Sequence, residues 1–268
     1  MAEIGHDYEL VVIGGGNMGA ALLGGLLRDG IVTAEQVAVV ELSDERRQVV
    51  AGEFPQVLVS ESIPTCRAAV LAVKPPAIAE VAAAAVAGGA QRLLSIAAGI
   101  TTASLRAACG DGVDVVRSMP NTPAMVGKGV TAICTDAKSD PAVLDWAEEL
   151  LTAVGMVFRV DEEHFDAVTG LTGSGPAYVF AFAEALITAG AEAGLPEEVL
   201  EPMVTQLLSG SSALLAAQGN PAGLREAVTS PGGTTAAGLN VFNDQGLRAL
   251  VANAVAAAKT RSRELGAS

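Results

Sequence analysis

Aromatic side chains are scarce in this sequence, at 3% of the 268 residues, whereas hydrophobic residues of all kinds make up 50%. The core must therefore be built mainly from Ala, Val and Leu, which suits helices that pack closely on one another or on a sheet. A chain of this length can bury one large core or two modest ones, and two domains are expected.

Basic residues are few as well: 16 Lys and Arg stand against 30 Asp and Glu, a formal net charge of -14. This balance disfavours a nucleic-acid partner or an anionic membrane surface. No apolar run reaches the ~18 residues that span a bilayer. The first residues include Glu3, His6 and Asp7 in place of a basic and then apolar leader, so a cytoplasmic location is predicted.

Cysteine and histidine are too rare to suggest a metal or redox centre, and no metal is expected. Cys66, Cys109 and Cys134 are widely spaced, lack the close pairs of zinc or redox motifs, and are interpreted as small buried residues. His6 lies near the N-terminus, and His164 in "DEEHFD" is interpreted as a surface or capping residue. Chemistry that depends on histidine is therefore disfavoured.

Residues 1–160 alternate short apolar runs with helical patterns, which predicts an α/β Rossmann-type domain with a mostly parallel sheet and helices on both faces. Candidate strands are "YELVVIGG" (8–15), "QVAVVE" (36–41), "VLV" (57–59), "AAVLAV" (68–73), "RLLSIAA" (92–98) and "VDVVRSM" (113–119). "GVTAICT" (129–135) and "GMVFRV" (155–160), on either side of a helix around Trp146, would complete one edge.

Residues 161–268 lack strand signals and predict an all-α domain with helices over 176–194, 195–218 and 245–265. These helices are apolar around much of their circumference, more than a lone helical lobe of this size needs. We infer that a second subunit covers part of this surface. A tightly packed monomeric lobe is the alternative.

A dinucleotide fingerprint occupies the end of the first strand. In "VVIGGGNMGAALL", Gly14, Gly16 and Gly19 have G-x-G-x-x-G spacing, with Asn17 and Met18 opening a helix. Gly14 permits a tight turn, Gly16 lets backbone approach a pyrophosphate, and Gly19 lets helix and strand pack closely. The N–H groups at the helix N-terminus would bind the phosphates.

The residues after the second strand leave the choice between NADH and NADPH open. Glu41 can accept a hydrogen bond from a ribose 2′-hydroxyl and would repel a 2′-phosphate. Ser43, Arg46 and Arg47 follow and could bind that phosphate, unless the arginines lie on a solvated helix face.

Two further loops follow strands at the carboxyl edge, where open sheets bind ligands. "AVKPPAI" contains Val73, Lys74 and Pro75, of which Lys74 is a candidate coenzyme contact and Pro75 ends the strand. Ala98 and Gly99 in "SIAAGIT" are small enough for a nicotinamide to lie close to the backbone.

The stretch "VTSPGGTTAAGLN" (228–240) interrupts the helical region with a proline, two glycines and a group of hydroxyls. Residues Ser230–Thr235 predict a turn that caps a helix, with Thr234 or Thr235 near the N-cap. Unhindered N–H groups beside hydroxyls also suit a carboxylate. Both interpretations, a capped helix and an anion site, are kept.

Three motifs together resemble one enzyme family. "VRSMPNTPA", "GSGPAYVF" and "VTSPGGTT", in this order behind "AVKP" and the glycine fingerprint, are similar to pyrroline-5-carboxylate reductase over about residues 8–265. The resemblance implies reduction of a cyclic imine to L-proline by NADPH or NADH, the last step of proline biosynthesis. It also implies a helical dimerisation domain and a dimer or a ring of dimers, up to a decamer.

The resemblance also implies roles for individual residues. Backbone around Gly232, Gly233 and Thr234, with Ser230, would hold the substrate carboxylate, and the Thr235 hydroxyl would meet the ring nitrogen. Asn121 would border the nicotinamide. Leu42 departs from the basic or polar residue of many relatives beside the adenosine ribose, which puts the family's common NADPH preference in doubt.

The residue inventory also bears on two rival functions. A β-hydroxyacid dehydrogenase shares the two-domain plan but needs a lysine in the early C-terminal helices, and no lysine lies between Lys138 and Lys259. A nucleotide-binding sensor without catalysis would explain the glycines but not the three substrate-side loops. Imine reduction itself needs positioning and charge complementarity more than a strong acid.

Overall fold

The structure is a computed structural model that describes residues 7–266. Within these residues eight strands form one sheet. They are β1 (Tyr8–Ile13), β2 (Val37–Val40), β3 (Leu58–Ser60), β4 (Cys66–Leu71), β5 (Arg92–Ser95), β6 (Asp114–Met119), β7 (Gly129–Thr135) and β8 (Gly155–Arg159). Each overlaps one predicted strand, so the mostly parallel α/β fold is confirmed.

The sheet has the order β3-β2-β1-β4-β5-β6-β7-β8. Strands β1 to β6 are parallel to their neighbours, β7 is antiparallel to β6, and β8 is parallel to β7. The segment between β6 and β7 contains only a short 3-10 turn, Thr122–Val126. A parallel neighbour would need a long crossover, so the chain reverses at this point.

Helices cover both faces of the sheet, and further helices follow it in the chain. They are α1 (Asn17–Arg28), α2 (Asp44–Glu53), α3 (Ile78–Ala87), α4 (Thr102–Cys109), α5 (Val143–Thr152), α6 (Phe165–Val168), α7 (Gly175–Glu192), α8 (Glu197–Gln218), α9 (Pro221–Ala227), α10 (Thr234–Asp244) and α11 (Leu247–Gly266). Successive β1 residues serve two cores: Leu10 packs with the buried leucines of α1, and Val11 with the buried alanines of α3. Burial on both faces explains why β1 reads as a continuous apolar run.

The described chain divides into two compact units, one of residues up to 174 together with 257 onward, the other of residues 175–256. The division lies later than the predicted boundary at residue 160. Phe165 is the physical reason, because it is buried in a cluster with Ala132 and Cys134 of β7. Residues 161–174 therefore belong with the sheet.

The helical unit buries few of its large apolar side chains within the described chain. Leu200 and Val204 are its buried residues, whereas many leucines, valines and phenylalanines are exposed. The exposed set is Val179, Phe180, Phe182, Leu195, Met203, Leu207, Leu214, Leu215, Val228, Val241, Phe242, Leu247, Leu250 and Val251. A surface this apolar is typical of a protein–protein interface.

A largely buried ion pair joins α4 to the loop after β7. The Arg106 guanidinium donates to both oxygens of Asp136, at 2.8 and 3.0 Å. Arg106 also donates to the carbonyl oxygens of Gly110 and Val113. The hydrogen bonds from Arg106, against the opposing effect of burial, lower the pKa of Asp136 from 3.8 to about 2.

This pair predicts a specific acid dependence of stability. Because the folded-state pKa of Asp136 is depressed, its stabilisation is fully present well above pH 4 and is lost as pH falls through about 2. The shift corresponds to about 2 kcal/mol. Replacing Asp136 with Asn, which leaves the buried Arg106 without its counter-charge, should cost roughly 3 kcal/mol at pH 7. Urea unfolding from pH 7 to pH 2.5 should show this difference shrinking.

The control is Asp111→Asn. Asp111 pairs with Lys138 on the surface, where solvent screens the pair, so its loss should leave the free energy of unfolding close to the wild-type value. A gap between wild type and Asp136→Asn that stays constant with pH would contradict the assignment.

Candidate functional site

The predicted coenzyme residues share one edge of the sheet. They follow the carboxyl ends of β1, β2, β4, β5 and β6, which lie side by side and parallel. The connection from β1 leads to β2 on one side, and the chain later returns to β4 on the other. This reversal next to β1 is the place where open α/β sheets bind ligands.

Two glycines of the fingerprint are required by close backbone contacts. Gly14 has a φ of 114°, and a Cβ at this position would overlap the carbonyl oxygen of Ala72. A Cβ on Gly19 would overlap the carbonyl oxygen of Gly14. Helix α1 therefore starts directly against the turn that ends β1.

The N-terminus of α1 is open toward solvent. Gly16 is the N-cap, and a Cβ placed on it would have no heavy atom within 4 Å. Gly16 and Asn17 are exposed and Met18 is partly buried. The first N–H groups of a helix lack partners within the helix, so this turn fits a pyrophosphate. The residues present are thus compatible with a dinucleotide.

The Glu41 carboxylate links the loop after β1 to the loop after β2. One carboxylate oxygen accepts from the Gly15 N–H at 3.0 Å, and the other accepts from the Ser43 N–H at 2.9 Å. Ser43 is the N-cap of α2, and its hydroxyl accepts from the Arg46 N–H. A contact between Glu41 and a ribose remains a prediction, but the carboxylate lies beside the glycine turn, as that prediction requires.

The arginines after Glu41 do not lie on a freely solvated face, so that interpretation is wrong. Arg47 donates to the carbonyl oxygens of Glu41 and Leu42, both at 2.8 Å, and pairs with Asp44 and Glu61. Arg46 donates to the Gly15 carbonyl oxygen. Carbonyl groups at the ends of β1 and β2 attract both guanidinium groups, which fix the loop shape.

The loop after β4 has the predicted form. Pro75 begins a 3-10 turn whose N-cap is Lys74, and α3 follows directly. Lys74 and Pro75 are exposed and Val73 is partly buried. The Lys74 side chain is therefore accessible to a ligand at this edge.

The loop after β5 has an exposed Ala98 followed by Gly99, whose φ is 79°. Gly99 lies against the end of α11: a Cβ on it would be 3.8 Å from the backbone of Leu265 and Gly266. The positive φ favours glycine at position 99, and the loop runs beside the end of α11.

Asn121 fixes the loop after β6. It is 8% exposed; its amide nitrogen donates to the Thr172 carbonyl oxygen at 3.0 Å, and its amide oxygen accepts from the Val130 N–H at 2.8 Å. Both ends of the side chain are thereby engaged by protein. Asn121 joins "MPNTP" to the loop that precedes "GSGPAY", two of the motifs singled out from the sequence.

The predicted substrate residues lie in the helical unit, as one turn. The Gly233 N–H donates to the Ser230 carbonyl oxygen at 3.1 Å, and Gly232 has a φ of 71°. Gly233 is the N-cap of α10, and Thr234 and Thr235 are its first, exposed residues. A Cβ on Gly233 would overlap the Ser230 hydroxyl. The hydroxyl group therefore lies directly beside a helix N-terminus.

One polar network was missed by the sequence analysis. Glu162 accepts from the Thr102 N–H at 2.8 Å, from the Thr102 hydroxyl at 2.6 Å and from Arg117 at 3.0 Å. Burial raises the pKa of Glu162, but the bonds from Thr102 and the charge of Arg117 outweigh it, so the net pKa is lowered. The available signal was Arg117 itself, since a charged residue in the apolar strand "VDVVRSM" needs a partner.

The thiols and histidine agree with structural roles, with one exception. Cys66 and Cys134 are buried, which raises the pKa of their thiols to about 11 and about 12. Cys109 is only partly buried, because it ends α4 near the surface. His164 is exposed beside Asp161 and Glu163, and His6 lies outside the described residues.

Two family models match the chain. Residues 162–265 match the pyrroline-5-carboxylate reductase dimerisation domain. Residues 9–99 match the model described as NADP oxidoreductase, coenzyme F420-dependent. Together they agree with an N-terminal coenzyme domain followed by a C-terminal helical domain.

Relatives named pyrroline-5-carboxylate reductase match nearly the whole chain. The one from Synechocystis is 40% identical over 97% of this chain and 99% of its own, and the one from Pseudomonas aeruginosa is 41% identical over 96% of both. This chain belongs to the pyrroline-5-carboxylate reductase family.

Solved structures of the pyrroline-5-carboxylate reductase family have the same fold. One from Coxiella burnetii is 31% identical with a TM-score of 0.88, covering 97% of this chain and 99% of its own. One from Plasmodium falciparum, with NADP bound, is 28% identical with a TM-score of 0.82, covering 98% of this chain and all of its own. Among the described helices, none is both long and apolar enough to cross a membrane.

In this family member Glu41 should influence the choice of coenzyme. Replacing Glu41 with Ser removes the carboxylate that would repel a 2′-phosphate, so the ratio of kcat/KM for NADPH to that for NADH should rise about tenfold. Initial rates with each coenzyme measure the ratio. Glu45→Ser is the control, since it removes an equal charge from the exposed first turn of α2. An unaltered ratio in Glu41→Ser would show that this side chain does not face the ribose.

Proposed function

We propose that this chain catalyses the reduction of the C=N bond of 1-pyrroline-5-carboxylate to L-proline, the last step of proline biosynthesis, with NADPH or NADH. The observation that carries the proposal is its near-full-length relation to enzymes of that name. The open glycine turn and the hydroxyl-bearing turn of α10 support it from the structure.

The coenzyme would lie at the carboxyl edge of the sheet. The α1 N-terminus, with the backbone of Gly14, Gly16, Asn17, Met18 and Gly19, would bind the pyrophosphate. Glu41 and Ser43 would contact the adenosine ribose. Val73, Lys74, Pro75, Ala98, Gly99 and Asn121 would line the rest of the path. The reduced nicotinamide supplies the hydride.

The choice between NADPH and NADH has support on both sides. The Plasmodium relative holds NADP, which favours a phosphorylated coenzyme. Glu41 and the exposed Leu42 oppose it, because neither can attract a phosphate. Arg47 is already bonded to two carbonyl groups and two carboxylates, which leaves it poorly placed to bind one.

The imine would be held by the turn that begins α10. The backbone around Gly232, Gly233 and Thr234, with the Ser230 hydroxyl, would bind its carboxylate, helped by the helix dipole. The Thr235 hydroxyl would contact the ring nitrogen, which is basic enough to arrive protonated. The protein then orients two reactants and needs no strong acid of its own.

The assembly would be a homodimer or a ring of dimers built through residues 161–268, in the cytoplasm. The match of the dimerisation model to residues 162–265 and the exposed apolar side chains of the helical unit support this proposal. The partners would be the small-molecule substrate and further copies of the chain, with no nucleic acid and no membrane. A sensor without catalysis is the alternative, which NAD(P)H consumption with the imine would exclude.

Replacing Thr235 with Ala tests the substrate site. The variant should lose ~10- to 100-fold in turnover, because the ring nitrogen loses a positioned hydroxyl, while the Kd for the reduced coenzyme stays within about twofold. Steady-state kinetics and coenzyme titration measure the two effects. Thr188→Ala is the control, since that hydroxyl bonds to the Glu184 carbonyl oxygen of its own helix. Wild-type turnover in Thr235→Ala would remove this residue from the mechanism.

Replacing Val251 with Asp tests the subunit interface. Val251 and Val49 are each 50% exposed, on α11 and α2 respectively, so they form a matched pair. An aspartate buried between subunits would be left unpaired, so Val251→Asp should shift the assembly toward monomer in light scattering, whereas Val49→Asp should not. Equal masses for all three proteins would contradict the assignment of the helical unit as the interface.

A further inference from the structure

The network around Glu162 ties together the two ends of the loop 96–101. Its carboxylate binds the N–H and hydroxyl of Thr102, the first residue of α4, which directly follows this loop. The same carboxylate binds Arg117 of β6, which pairs with β5 at Ser95, where the loop begins. One side chain thus links the exit of the loop to the strand beside its entry.

The entry of the loop is also held by hydrogen bonds. The Ser118 hydroxyl donates to the Ser95 carbonyl oxygen at 2.8 Å, and the Ala97 N–H donates to the Ser95 hydroxyl at 3.3 Å. These groups are buried within the sheet. At the exit, Thr101 caps its own helix by accepting from the Ser104 N–H, and Glu162 supplies the bond from outside the helix.

Arg117 is itself fixed in place. It is 7% exposed, and its guanidinium lies 4.4 Å from the centre of the buried Phe165 ring. Phe165 follows Glu162 by three residues, so one short segment presents both the carboxylate and the ring to the same arginine. Glu162 is the carboxylate that pairs with Arg117 among residues 7–266, and a buried arginine makes such a carboxylate hard to replace.

The outer side of the loop is covered by the end of α11. A Cβ placed on Gly99 would lie 3.8 Å from the backbone of Leu265 and Gly266. Asp166 accepts from the Ser262 hydroxyl at 2.8 Å and lies 3.7 Å from the Arg263 guanidinium. Glu162 and Asp166 are four residues apart in the chain. The first therefore binds the residues beside loop 96–101, and the second binds the end of α11.

We propose that Glu162 is a positioning residue for the coenzyme, which sets the shape of loop 96–101 through Thr102 and Arg117. The inference rests on the proposed function only in that Ala98 and Gly99 of this loop line the coenzyme path. Glu162 does not touch the reacting atoms. It holds the backbone against which the nicotinamide lies, so its loss displaces the hydride donor and leaves the imine site intact.

Replacing Glu162 with Ala should raise the Kd of the reduced coenzyme about tenfold, measured by calorimetric titration without imine. KM for the coenzyme should rise in parallel, while KM for the imine stays within about twofold. Glu162→Gln keeps an acceptor for the Thr102 N–H and should restore the Kd to within about threefold of wild type.

Glu163→Ala is the matched control, because Glu163 is an exposed carboxylate on the same turn and should leave coenzyme binding unchanged. If Glu162→Ala does not fold, Thr102→Val replaces it, since that variant loses only the hydroxyl bond and should raise the Kd about threefold. A folded Glu162→Ala, or Thr102→Val in its place, that lowers Tm but keeps the wild-type Kd would overturn the proposal and leave a merely structural bridge.

The titration contains no imine, so it separates this inference from the proposed reaction. A wild-type chain that binds coenzyme but does not reduce the imine would refute the reaction and leave the comparison of Kd values valid. A wild-type chain that binds neither NADPH nor NADH would overturn the positioning role as well.

Discussion

The candidate coenzyme site depends on the contact of α1 with the turn that ends β1. Gly19 lies so near the Gly14 carbonyl group, and Gly14 so near that of Ala72, that neither position has room for a side chain. These contacts bring a helix N-terminus to the edge where five parallel strands end. The other candidate loops lie at the same edge of the sheet as the N-terminus of α1.

The fold was predictable because apolar strand runs and helical apolar spacing are easy to distinguish in this sequence. Residues 10–13 of β1 are buried on both faces of the sheet and form a continuous apolar run in the sequence. The alternation of such runs with helical segments predicts a mostly parallel sheet. The unit boundary was less predictable. Residues 161–174 carry no strand signal, yet Phe165 buries itself against β7, and a single aromatic residue in a polar segment does not reveal its partner.

The places of the candidate site residues in the fold were predictable, but their hydrogen bonds were not. Spacing alone placed Gly14, Glu41 and Asn121 at strand ends, because parallel strands share their carboxyl edge. It could not reveal that the carboxylate of Glu41 accepts two backbone N–H groups, or that the Asn121 amide is engaged at both ends. The sequence analysis missed Glu162 because its partners Thr102 and Arg117 are 60 and 45 residues away along the chain.

The turn Ser230–Thr235 consists of one serine, one proline, two glycines and two threonines. None of these side chains gains or loses a proton near neutral pH. The side chains of the turn would present the same charge to a bound anion at pH 5 and at pH 9. The pH dependence of its capture would then be set by the ligand's own ionisation and by groups elsewhere in the assembly. The charge of the turn is therefore constant over this range, which would not hold for a histidine in the same place, because its imidazole changes charge near neutral pH.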